Sequence, residues 1–195
     1  MTRTDVDWTM EARAPGKASG LRRQRMRTLL IDTSSAILLY KTGLIGTAAD
    51  AWRLLAVPAV VEELMVDGQP GTPEFGGMLA AGRLGAIGTP TRKSPRIPEL
   101  ERLGAGERDT IMAFLNGSGS FILIDDGPAA GYCRSRSIPY INALLVPRIL
   151  ALAGIHVPAG WPVAMTAVDR AGRYSDAIRD HARHCPDRWL EPFLP

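Results

Sequence analysis

The chain has 195 residues, 46% hydrophobic and 22% charged, with a mean hydropathy near zero, which describes a folded globular chain rather than a disordered or fibrous one. No stretch approaches the ~18 uncharged apolar residues of a membrane span; the two cysteines, Cys133 and Cys185, are too few for a disulfide framework and fit a reducing cytoplasm. Charge is uneven: residues 1–27 carry seven Lys/Arg against three Asp/Glu, a net of +4 beside a chain total of +3, so the body of the chain is close to neutral.

Residues 1–27, rich in Arg, Gly, Ser and Thr without an apolar period, read as a flexible basic leader able to approach phosphates. Its cluster Leu21–Arg27 precedes too few apolar residues for a secretory signal. Thr28–Asp32 is an apolar strand that stops at a carboxylate, and Thr33-Ser34-Ser35 leads into a helix over residues 34–43 closed by Gly43. Ala48–Leu55 reads as a second helical piece and Leu55–Val57 as a short strand. Pro58 opens a helix over Ala59–Val66, residues 68–73 form a loop, Glu74–Gly82 is helical, and Leu84–Ile87 is a strand. Thr89–Pro98, with three prolines among basic residues, is a surface loop.

A helix follows from Gly106 to about Leu115, closed by Asn116-Gly117, then the strand Phe121–Ile124 ending at Asp125-Asp126. Gly127–Arg136 is helical, and Ile138–Ile141 is an edge strand because Pro139 cannot donate to a ladder. Helices over Ala143–Ala153, Trp161–Ala171 and Ser175–His184 complete a single domain, residues 28–185. Residues 186–195, with three prolines, form a tail that either binds a partner or is disordered. Strands alternating with helices predict an α/β three-layer sandwich, a mainly parallel sheet flanked by helices.

In such a sheet the strand carboxyl ends and the following helix amino ends gather on one edge. Asp32 and the pair Asp125-Asp126 end strands, while Glu62-Glu63 and Glu107, with Asp109, lie in early helix turns. Any one of them could simply cap a helix, at a gain of about 0.3–1 kcal/mol. Four segments aiming acids at one region point further, because gathered carboxylates repel each other unless a cation lies among them. Oxygen ligands alone favour Mg2+ or Mn2+ over zinc.

In order, LLIDTSS, VPAVVEEL, LGAGERDTIMAF and ILIDD resemble the motifs of PIN-domain nucleases, in particular the branch related to VapC-type toxins. The resemblance runs over roughly residues 28–182, including Gly172-Arg-Tyr-Ser-Asp-Ala-Ile178 as a C-terminal helix start. It implies a Mg2+-dependent endoribonuclease with Mn2+ as a substitute, Asp32, Glu63 (or, one residue earlier, Glu62), Glu107 and Asp125 or Asp126 as catalytic and metal-binding acids, and a hydroxyl from Thr33 or Ser34. It further implies an RNA substrate, a small antitoxin as inhibitor, and a homodimer. Where that branch often carries a basic residue after Asp-Asp, this chain has Gly127-Pro-Ala-Ala, so grip on a phosphate would fall to Arg134, Arg136 or the loop Arg92-Lys93-Ser-Pro-Arg96.

Other chemistries are poorly provided for. His181, His184 and Cys185 share one helical stretch, but no C-x-x-C pair accompanies them. Trp52, Trp161, Trp189 and Phe193 read as packing rather than base-stacking groups. Gly104 and Gly106 lack the Lys-Ser/Thr of a phosphate loop, and there is no G-x-S-x-G elbow. Two readings of other classes are a non-catalytic module of the same fold binding RNA or protein, and a phospho-acceptor receiver. The second needs a Lys after the last strand, where this chain has Asn142.

Overall fold

The computed structural model describes residues 26–88 and 97–195. The leader through residue 25 and the basic loop Arg92–Arg96 lie outside the described residues.

Five strands, β1 (Thr28–Ile31), β2 (Arg53–Ala56), β3 (Leu84–Ala86), β4 (Phe121–Leu123) and β5 (Tyr140–Ile141), form one sheet in the order β3-β2-β1-β4-β5. Every pairing is parallel: Leu30 stands opposite Leu55 and Ile122, and Leu123 opposite Ile141. The helices are α1 (Thr33–Lys41), α2 (Ile45–Ala51), α3 (Pro58–Leu64), α4 (Thr72–Ala80), α5 (Ala105–Leu115), α6 (Gly127–Ser135), α7 (Val146–Leu152), α8 (Trp161–Ala171) and α9 (Asp176–His184). A parallel sheet covered on both faces explains the unbroken apolar runs, since neither side of a strand meets water. Leu29, Leu30, Ile31 and Phe121 through Ile124 are all essentially inaccessible.

The order places β1 and β4 side by side at the point where the chain, having built outward through β2 and β3, returns to build the other way. Open α/β sheets bind ligands outside the strand carboxyl ends at such a switch point. Asp32 follows β1 there and Asp125 follows β4.

Local rules set most element ends. Asp32, Asp126 and Ser175 each accept a backbone N–H in the first turn of α1, α6 and α9, and Pro58 occupies the first turn of α3. Gly43 and Gly117 take left-handed conformations after α1 and α5, at φ 71° and 82°. β5 lies at the sheet edge, as Pro139 implies, and the Pro139 carbonyl still accepts from Ile122 N–H.

Three stretches differ from the sequence expectation. The helix expected over Ala48–Leu55 ends at Ala51, because pairing with β1 draws Arg53, Leu54 and Leu55 into β2. The helix expected over Ala143–Ala153 opens with a 3-10 turn at Ala143–Leu145, and α7 begins only at Val146 with Pro147 in its first turn. Residues 186–195 are neither disordered nor a free partner-binding tail. They make two 3-10 turns, Asp187–Trp189 and Glu191–Phe193, and return to the core. Leu190 and Phe193 are buried, Phe193 meets Phe121 edge-on at 5.2 Å, and its carbonyl accepts from Trp52 Nε1 at 3.0 Å.

Candidate acidic site at the carboxyl edge of the sheet

Asp32 leaves the end of β1 buried, at 1% exposure. Its Oδ1 accepts Ser35 N–H and its Oδ2 accepts the Ser34 hydroxyl, both at 2.8 Å. It therefore caps α1, and it does so while facing a second, half-buried carboxylate, Asp125. Burial, then the charge of Asp125, pushes its pKa up to about 7 despite the two hydrogen bonds.

The three residues after Asp32 hand one hydroxyl to each of three acids. Thr33 donates to Glu63, Ser34 to Asp32, and Ser35 to Asp125 at 2.7 Å. The triplet that opens a helix in the sequence is thus also the hydroxyl lining of the acidic edge. The sequence suggests Thr33 or Ser34 for such a role, but nothing in its pattern distinguishes Ser35, which is fully buried.

Glu63 is the penultimate residue of α3 and leans across the amino end of α5. A Cβ on Gly106 would come within 3.2 Å of Glu63 Oε2 and 3.1 Å of Val60, so the missing side chain leaves the carboxylate its place. Glu62, the one-residue alternative, is exposed and turned away from that contact. Glu107 folds back over Gly104, whose backbone N–H supports it, and its pKa is raised by burial, then by the charge of Asp126, with Glu63 a smaller cause. Asp109 is spent on a surface pair with Arg108 at 3.0 Å.

Asp125 and Asp126 divide the work at the end of β4. Asp125 is held by three donors: Ser35 hydroxyl, Ala143 N–H, and Tyr174 hydroxyl at 2.6 Å. Burial still raises its pKa. The same burial, with Asp125 opposite, keeps the Tyr174 phenol protonated far above its ordinary range. Asp126 is half-buried and caps α6 through Oδ1, accepting Ala129 N–H at 2.9 Å, while its charge bears on Glu107. Tyr174 is the contributor that sequence reasoning missed. It lies 49 positions from Asp125, inside the stretch Gly172–Ile178 that reads in the sequence only as a helix start, and nothing in that stretch points to Asp125.

The site thus has an inner pair, Asp32 and Asp125, and an outer group, Glu63, Glu107 and Asp126. Among the described residues none of the five acids forms an ion pair with Arg or Lys. At the end of neighbouring β5, Asn142 Oδ1 is buried with no hydrogen-bond partner. This is an all-oxygen donor set with no basic counter-charge among the described residues, and its chemistry fits a hard divalent cation. Among the described residues Glu63, Glu107 and Asp126 keep accepting capacity free, whereas Asp125 already accepts from three donors. As placed, however, the acids form no cage: among the described residues no three of His, Cys, Asp or Glu converge closely enough to hold a metal ion.

Of the basic residues expected to grip a phosphate, Arg136 pairs with Glu99 at 3.1 Å and lies over the Tyr132 ring, and Arg134 is exposed near the end of α6. On α9, His184 bonds Asp180, His181 stacks on Trp189 at 5.9 Å, and the Cys185 thiol is buried against Arg148. Those three groups each serve packing in different directions. Trp52 is fully buried in the core, and Trp161 lies under the Arg148 guanidinium. Among the described residues no helix is long and apolar enough to cross a membrane.

A family model for the PIN domain matches residues 28–154, more than half of the chain and all five strands. No curated protein and no solved structure matches.

Proposed function

The chain belongs to the PIN-domain family, and on that premise we propose that it is a Mg2+-dependent endoribonuclease, the toxin of a toxin–antitoxin pair. The observation that carries the nuclease reading is the convergence of Asp32, Glu63, Glu107, Asp125 and Asp126 on one sheet edge without a basic counter-charge among the described residues. A phosphodiester resists hydrolysis because its own charge repels nucleophiles and an alkoxide leaves poorly; divalent cations relieve both obstacles.

In this chain Asp32, Glu63, Glu107 and Asp126 would hold the cation, Mg2+ or Mn2+. Asp32 is presented rigidly by its bonds to Ser34 and Ser35, and Thr33 keeps Glu63 turned toward the same edge. Glu63 or Glu107, at the mouth of the site, would orient a water and receive its proton. Asp125 keeps the inner wall in register through its three donors. Hydrolysis of RNA to a 5′-phosphate and a 3′-hydroxyl, an antitoxin partner and homodimerisation rest on the resemblance to the toxin branch of the family. An open reading frame for a small protein beside the gene is the first check on the antitoxin.

The deciding experiment pairs Asp32→Asn with wild type on a structured RNA in Mg2+ and in EDTA. Wild type cleaves only with the metal, and the variant loses cleavage by about a hundredfold to a thousandfold or more, the scale of removing a catalytic charge-stabilising group, with its circular dichroism unchanged. Equal cleavage by both proteins removes Asp32 from the reaction.

A second reading, a non-catalytic module binding RNA or protein through the same edge, is favoured by one observation: among the described residues no three acids converge into a metal cage. Calorimetric titration with Mn2+ separates the two. The nuclease binds the ion and Asp32→Asn weakens that binding; the module binds none.

A further inference from the structure

Tyr174 sits outside the stretch matched by the family model, in the turn between α8 and α9. Only 7% of it is exposed, and its hydroxyl reaches Asp125 Oδ1 at 2.6 Å. The turn is built around the ring: a Cβ on Gly172 would fall 2.5 Å from Tyr174 Cε2 and 3.0 Å from Cζ, so only glycine leaves the ring where it is. The helices on either side are themselves tied together. Asp169 on α8 receives Arg179 Nε at 2.7 Å and Arg183 at 3.8 Å from α9, and Ser175 caps α9 directly after the tyrosine. The phenol is consequently presented from a braced support, and Asp125, through Ser35, reaches the first turn of α1 that holds Asp32.

We propose that Tyr174 is a positioning residue of the acidic site: held by Gly172 and the braced α8–α9 turn, its hydroxyl sets the Asp125 carboxylate, and through Ser35 the Asp32 carboxylate, in the arrangement that takes up a divalent cation. This rests on the metal-dependent reading above and deepens it, because it makes the C-terminal helix pair part of the site. Residues that orient metal-binding groups from behind typically change affinity by about tenfold to a hundredfold when removed. Asp125 offers three donors' worth of restraint, of which the Tyr174 hydroxyl is the one supplied from the C-terminal region.

The test measures Mn2+ affinity of the full-length protein by calorimetry, with no RNA present. Tyr174→Phe, which removes only the hydroxyl, weakens Mn2+ binding by about tenfold or more. Gly172→Ala, which displaces the ring but keeps the hydroxyl, gives the same loss and carries the test should the first variant fold poorly. Phe193→Leu, packed at the opposite end of the sheet against Phe121, lowers the melting temperature yet keeps wild-type affinity. Wild-type affinity in a folded Tyr174→Phe overturns the inference and leaves the nuclease reading standing. A loss in Phe193→Leu as large as in Tyr174→Phe also overturns it, since affinity would then follow stability. Absence of Mn2+ binding in wild type overturns both.

Discussion

Asp32 shows how one side chain serves a fold and a site at once. It caps α1, a role for which Asp is well suited, but it does so fully buried and facing Asp125, and its pKa is pushed up to about 7. The sign of the consequence follows from linkage. A carboxyl whose folded pKa lies above its ordinary value of 3.8 favours the fold while protonated, so that stability is fully present below about pH 4 and is lost as pH rises through about 7. The raised values of Asp125 and Glu107 act in the same direction. Metal-free protein in EDTA is therefore expected to lose melting temperature between pH 4 and 7. Asp32→Asn flattens that decline, recovering on the order of 3–4 kcal/mol at pH 7.5. A wild-type melting temperature that holds level or rises across this interval contradicts the burial of an uncompensated acid. The hydroxyls of Thr33, Ser34 and Ser35 ease this charge without neutralising it, which is the state a cation-binding edge requires.

Among the elements, the C-terminal turns carry more of the fold than their composition suggests. Pro186 follows the end of α9, and the two 3-10 turns after it bring Phe193 edge-on against Phe121, which itself meets Trp52 near the amino ends of β2 and β4. Arg148 on α7 fastens the approach, donating to the carbonyls of Ala182 and Cys185 and pairing with Asp187. Phe193→Ala is expected to cost about 3–5 kcal/mol, as for a large aromatic deleted from a core, visible as an earlier midpoint in urea. A loss under about 1 kcal/mol would show the segment to be surface dressing. At the opposite edge the helix amino ends matter most: Gly104 and Gly106 lack side chains where Glu107 and Glu63 need the room, so α5 begins with glycines for the site's sake rather than for helix propensity.

At the scale of the molecule, a five-stranded parallel sheet with its switch point between β1 and β4 gathers like charges that the chain could not otherwise keep together. Their mutual repulsion couples ion binding to folding. Saturating Mn2+, at about a hundred times its dissociation constant, is expected to stabilise the protein by about 2.7 kcal/mol. The effect appears as a higher melting temperature at pH 7.5 and disappears at pH 4, where protonated acids no longer bind the ion; an equal rise at both values would mean binding elsewhere. Much of this plan can be read along the chain. Apolar runs that stop at an acid, Pro58 before a helix, Asn116-Gly117 after one and Pro139 on an edge are local features whose physics is complete within a few residues, and they suffice for the strands, their parallel sense and the acidic edge. What the sequence alone does not contain is set by partners far along the chain. Arg53–Leu55 became strand because β1 lay beside them. Glu63 rather than Glu62 faces the edge because Thr33 and Gly106 receive it, and Ser35 and Tyr174 enter the site only because packing brings α1 and the α8–α9 turn to Asp125. Propensity and periodicity act over one or two turns, whereas a hydrogen bond between residues 125 and 174 exists only after hydrophobic burial has brought the two together.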